Sequence, residues 1–225
     1  MNSKMTLIVG ALAVAILAPG IASASFVLDT GVPMTSGGTP VTTGGDTLST
    51  AQFFAGEFYV AAGQDITQVA AYLNLPTGGT GGAFTFDIYS ATNFTTTRVA
   101  NLSAVATATA TFGSQGWNSA SVNWTPTTSG DYWLALQVPT GGTKGLDAPV
   151  EASATTGTAP AVAFAYYGSG TNGVYKASGA PAIGLEVTAA SPVPLPAAAW
   201  LLGSGLLVGL GSAARRRRGG ASPRA

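Results

Sequence analysis

Seven short runs in this chain place apolar residues at every second position: Phe58 and Val60; Val69, Ala71, Leu73 and Leu75; Phe84, Phe86 and Ile88; Val122 and Trp124; Tyr132, Leu134, Leu136 and Val138; Val162, Phe164 and Tyr166; Ile183, Leu185 and Val187. Period two puts each set on one face of a strand, and an apolar face must be buried against a second layer. Between the runs lie Gly-rich turn signals such as Ser114-Gln-Gly116, Thr127-Thr-Ser-Gly130 and Gly168-Ser-Gly-Thr-Asn-Gly173. Away from its two ends the chain shows no helical spacing. Short strands joined by such turns predict an all-β fold, an antiparallel β-sandwich or jelly roll, over residues 25–191. That length suits a single domain with its own core. With no cysteine, the core rather than disulfides must hold it together.

The two ends read differently. Residues 1–24 carry one early charge, Lys4, an apolar run from Met5 to Ala18, and the small-residue pattern Ala22-Ser23-Ala24. This is the pattern of a secretory signal peptide cut after Ala24, leaving Ser25 as the first mature residue. Residues 192–218 begin with Pro192-Val193-Pro194-Leu195-Pro196, continue without a charge from Ala197 to Ala214, and end in Arg215-Arg216-Arg217-Arg218; residues 219–225 form a short tail. Helix over 197–214 would extend roughly 27 Å, just enough to cross a bilayer core. The arginines place its C-terminal end in the cytoplasm and everything before Pro192 outside.

Val193-Pro194-Leu195-Pro196, the apolar segment and the arginine cluster together resemble the PEP-CTERM sorting signal of Gram-negative bacteria. Leu195 stands where that motif usually has Glu. The resemblance implies an inner-membrane anchor that is transient: an exosortase-type membrane enzyme would recognise the motif, remove the helix and release or re-attach the protein. A permanent single-pass anchor is the alternative on the same residues. Within the exported part, Leu48-Ser-Thr-Ala-Gln-Phe-Phe54, Ile66 to Leu73, Phe84-Thr-Phe-Asp-Ile-Tyr-Ser90, Trp117 to Trp124 and Gly130-Asp-Tyr-Trp-Leu-Ala-Leu136 are similar to the choice-of-anchor sandwich domains of bacterial surfaces. That similarity implies a cell-surface or extracellular location and no enzymatic activity.

Composition narrows the chemistry. All nine acidic residues lie between Asp29 and Glu186, where only Arg98, Lys144 and Lys176 are basic; nine minus three leaves the exported part at −6. Such a domain disfavours nucleic acid as a partner. With neither histidine nor cysteine, Ser-His-Asp and Cys-His catalysis and His- or Cys-ligated metals are excluded. No catalytic residue is assigned. The remaining enzyme class is a carboxylate-pair glycoside hydrolase, for which Glu57, Asp87, Asp131 and Glu186 are the candidates. No metal site is assigned either, although Asp46, Asp65 or Asp147 can contribute oxygen ligands to a structural calcium ion.

Trp117, Trp124, Trp133, Tyr166, Tyr167 and Tyr175 suggest a carbohydrate-binding module, because an exposed ring stacks on the apolar face of a sugar. Trp124 shares the phase of Val122 and belongs to the core. Trp133 is out of phase with Leu134 and Leu136, so it points the other way, either to a covering loop or to a sugar. In Ser103 to Phe112 the threonines 107, 109 and 111 share one face, a ladder that also permits an ice-binding reading, though Thr favours strands in any case. The expectation is an exported surface or matrix protein with a structural or adhesive role in biofilm exopolysaccharide.

Overall fold

A computed structural model describes residues 24–42, 45–75, 79, 81–91, 103–139, 146–148, 157–168, 180 and 182–190. They belong to one compact unit, Ser23–Ser191. Its elements are strands: β1 (Ser25–Asp29), β2 (Asp46–Leu48), β3 (Phe53–Val60), β4 (Ile66–Leu73), β5 (Ala83–Ser90), β6 (Ala106–Thr111), β7 (Gly116–Trp124), β8 (Gly130–Gln137), β9 (Leu146–Ala148), β10 (Phe164–Tyr167) and β11 (Leu185–Ala189). The first sheet has the order β1-β11-β4-β7, the second β10-β3-β8-β5-β6, and β2 pairs with β9. All of these pairings are antiparallel.

The alternating residues become the core. Phe54, Phe58 and Val60 of β3, Phe84, Phe86 and Ile88 of β5, and Tyr132, Leu134 and Leu136 of β8 share one buried cluster with Val69, Ala71 and Leu73 of β4 and Leu185 and Val187 of β11. The second sheet thus turns its large side chains against the first, a sandwich-like all-β arrangement. At Gly56 the layers approach closely: a Cβ there would sit 2.9 Å from Leu185 Cδ1 on the facing sheet. Val162 departs from its predicted place, lying before β10 with its side chain 67% exposed.

Two chain crossings tie the sheets together at one end. The β3–β4 and β7–β8 connections both pass from one sheet to the other, and Gly63 N donates to Pro126 O while Ala62 N donates to Ser129 Oγ. Asp65 accepts from Thr125 Oγ1, and its carbonyl accepts from Ala190 N. The ends of the described body meet here as well: Ser25 pairs with Ala189, the last residue of β11.

Ser25 opens β1 and Ala24 precedes it exposed. Ala22, Val193, Pro194, Leu195, Pro196, the segment 197–214, Arg215, Arg216, Arg217, Arg218 and the tail 219–225 lie outside the described residues. No helix among the described residues is long and apolar enough to cross a membrane.

Candidate functional site

The outer face of the second sheet receives Trp133, as its phase in β8 predicts, but the ring is only 2% exposed. It sits in a second, smaller apolar cluster with Phe53, Ala55, Tyr89, Ala135 and Ala165. Of the two readings for Trp133, cover by packing holds and the sugar contact is corrected: a ring so fully buried offers no stacking surface. The side chains flanking it explain the burial. Its cross-strand partners are Glu57 on β3 and Tyr89 on β5, and Phe53 stacks on Tyr167 with ring centroids 5.4 Å apart. Gln137 Nε2 donates to the Tyr89 hydroxyl over 2.9 Å. Burial and then the charge of Asp87 push the Tyr89 hydroxyl up to about 12.

The four candidate carboxylates divide between the two outer faces. Glu57, Asp87 and Asp131 lie on the second sheet and Glu186 on the first. Glu57 and Asp131 are diagonal neighbours, since Glu57 faces Trp133 and Asp131 faces Tyr59, a placement that sets their side chains about 7–8 Å apart. Burial, then the charge of Asp131, raises Glu57. Asp131 stands exposed, so the pair occupies an open strand surface. Burial raises Asp87, partly offset by the Thr107 and Thr85 hydroxyls that donate to it. Burial and then Asp29 raise Glu186. Asp29 shifts the other way: burial opposes its charge, but bonds from Thr158 N, Thr158 Oγ1 and Gly31 N outweigh that and hold it below the usual carboxylate range.

Asp46 and Asp147 fall on the paired strands β2 and β9, while Asp65 lies in the β3–β4 connection. Among the described residues no group of three or more acidic side chains is arranged to hold a metal ion. Thr107, Thr109 and Thr111 are exposed on β6, but their cross-strand partners are Asp87, Thr85 and Ala83, so the threonine ladder does not extend across the sheet.

Two ring pairs that include a tryptophan meet edge to face. On the outer face of the first sheet, Tyr72 and Trp117 are cross-strand partners, both half-buried, with rings edge to face and centroids 5.6 Å apart. At the crossing end, a cleft of about 290 Å³ is lined by Ser90, Val105, Trp124, Thr125, Thr127 and Tyr132 among others. Trp124 packs against the core, as its phase predicts, but is only half-buried because it is the last residue of β7, and it borders the cleft. Its ring meets Tyr132 edge to face at 4.9 Å. The Tyr132 hydroxyl donates to Thr128 O over 2.9 Å and so fixes the β7–β8 turn that forms one wall.

Comparison with known proteins gives no match among family models, curated proteins or solved structures.

Proposed function

We propose that this chain is an exported β-sandwich protein of the cell surface or extracellular matrix. An N-terminal signal peptide brings it out, and an exosortase-type enzyme processes its C-terminal PEP-CTERM-like anchor after a transient stay in the inner membrane. The role proposed for the sandwich is structural or adhesive, in contact with exopolysaccharide. One observation supports this above the rest: along the sequence, the bounds of the compact body agree with those read for the two end segments. It covers Ser23–Ser191, its first strand opens at Ser25, where the predicted cut after Ala24 would leave the chain end, and its last strand closes at Ala189.

The experiment expresses the full chain in a host that carries an exosortase, and follows it by membrane fractionation and mass spectrometry. Native protein is expected to start at Ser25 and to lose the segment after the motif. Replacing Pro194 and Pro196 with Ala should leave an unprocessed, membrane-retained form. Release of that double variant at the native rate refutes motif-directed sorting, and retention of residues 1–24 refutes export by a cleaved signal.

A further inference from the structure

The cleft at the crossing end has the makings of a small binding site. Its lining combines an indole, a phenol ring, one exposed aliphatic residue and hydroxyl-bearing Ser90, Thr125, Thr127 and Thr128, and it includes no charged residue. Val105 stands at its rim, 45% exposed. The absence of charge in the lining disfavours phosphate, carboxylate or cationic ligands, whose burial demands a partner. A half-buried indole beside several hydroxyls suits a ligand that is apolar on one face and hydroxylated at its edge. At about 290 Å³ the cleft lies at the small end of ligand sites, which run to roughly 300–1,000 Å³, and suits a single ring.

One wall of the cleft, the β7–β8 turn, is held in place beforehand at several points. Tyr132 anchors the turn through Thr128 O, and Thr125 Oγ1 is bonded to Asp65. Gly63 N and Ala62 N bind the neighbouring crossing to the same turn. Little ordering is then left for a ligand to bring about, which favours binding.

We propose that this cleft binds one neutral pyranose unit of a polysaccharide, its apolar face stacked on the Trp124 indole and its hydroxyls directed to the Thr125–Thr128 turn and Ser90. The site is independent of how the chain is sorted, and it replaces Trp133 with Trp124 as the ring that meets the sugar.

The test is calorimetric titration of protein purified from cells expressing the full-length sequence. The probes are gluco-, manno- and galacto-configured trisaccharides, with a uronic-acid trimer as the charged comparison. At least one neutral trisaccharide should bind saturably and the uronate at least tenfold more weakly. Trp124→Ala should weaken binding at least tenfold. Because that ring also packs on the core, Val105→Trp provides the second variant: it fills the cleft from the exposed rim and should abolish binding with the circular dichroism spectrum unchanged. Trp117→Ala should bind as the native protein does. Failure of every neutral probe, binding that survives Val105→Trp, loss in Trp117→Ala alone, or preference for the uronate each overturns the proposal.

Discussion

Thr30 follows β1 and is fully buried, yet its hydroxyl is satisfied on both sides. It donates to Ile183 O over 2.7 Å and accepts from Leu185 N over 2.7 Å. Thr30→Val keeps the shape and strands a buried N–H, so it should cost about 1–3 kcal/mol, read as a lowered midpoint in urea unfolding. Nothing in the sequence singles out this threonine, because its partners are about 150 residues away. Trp133 shows the complementary case. Its phase is legible in Gly130-Asp-Tyr-Trp-Leu-Ala-Leu136, and the phase is correct; what alternation cannot reveal is whether the far side of a sheet is covered. Period two assigns faces, not exposure. Since Trp133 is core, Trp133→Ala should cost about 3–5 kcal/mol, whereas Trp117→Ala, at a half-buried surface position, should cost less than about 1.5 kcal/mol. Equal losses in the two variants would contradict the second cluster around Trp133.

Among the strands, those with alternating apolar residues are legible, the short β10 and β11 with Phe164, Tyr166, Leu185 and Val187 included, and β1, β2 and β9 are not. β3, β4, β5, β7 and β8 contain the predicted apolar sets. β2 and β9 have three residues each, too few for any periodicity to register. β1 was hidden for another reason: Phe26 is 46% exposed and Leu28 buried, so the strand, at the sheet edge, is only partly sided. The packing of strand on strand is set by size as much as by phase. Gly56 occupies an inward position of β3 because Leu185 fills the space a side chain would need. Gly56→Val should therefore destabilise by about 1–3 kcal/mol through overpacking. Adding Leu185→Ala to it should cost less than the sum of the two single changes, since each side chain then relieves the other. Strict additivity in that double-mutant cycle would mean the sheets do not meet at this point. The cleft was illegible for a related reason, because Trp124 carries the correct inward phase but ends its strand, and the edge of a layer has no signature in an alternating pattern.

Across the whole molecule the distribution of charge governs the response to pH. Residues 25–191 carry six more acidic than basic residues, and three carboxylates sit on strand faces where partial burial raises them: Glu57, Asp87 and Glu186. A carboxyl raised in the fold favours the protonated state there, so its contribution is complete below the unfolded value, 4.5 for Glu or 3.8 for Asp, and is lost as pH rises through the folded value. Asp29 has the opposite sign. Held low by Thr158 and Gly31, it stabilises above 3.8 and loses that contribution as pH falls through its folded value. Among the described carboxylates three are raised and one is lowered, and with self-repulsion added this makes mild acid the favourable condition. The thermal midpoint should rise as pH is lowered from about 7 toward about 4.5, then fall below about 3.8 as Asp29 takes up its proton. Most domains are instead most stable at about pH 5–8. Glu186→Gln should raise the midpoint at neutral pH and flatten the acid-side rise, because it removes a buried charge set beside Asp29. Asp29→Asn should lower the midpoint at neutral pH and remove the drop at the acid end. A midpoint that declines steadily from neutral pH would show that carboxylates bonded like Asp29, rather than the three buried on the sheet faces, set the balance.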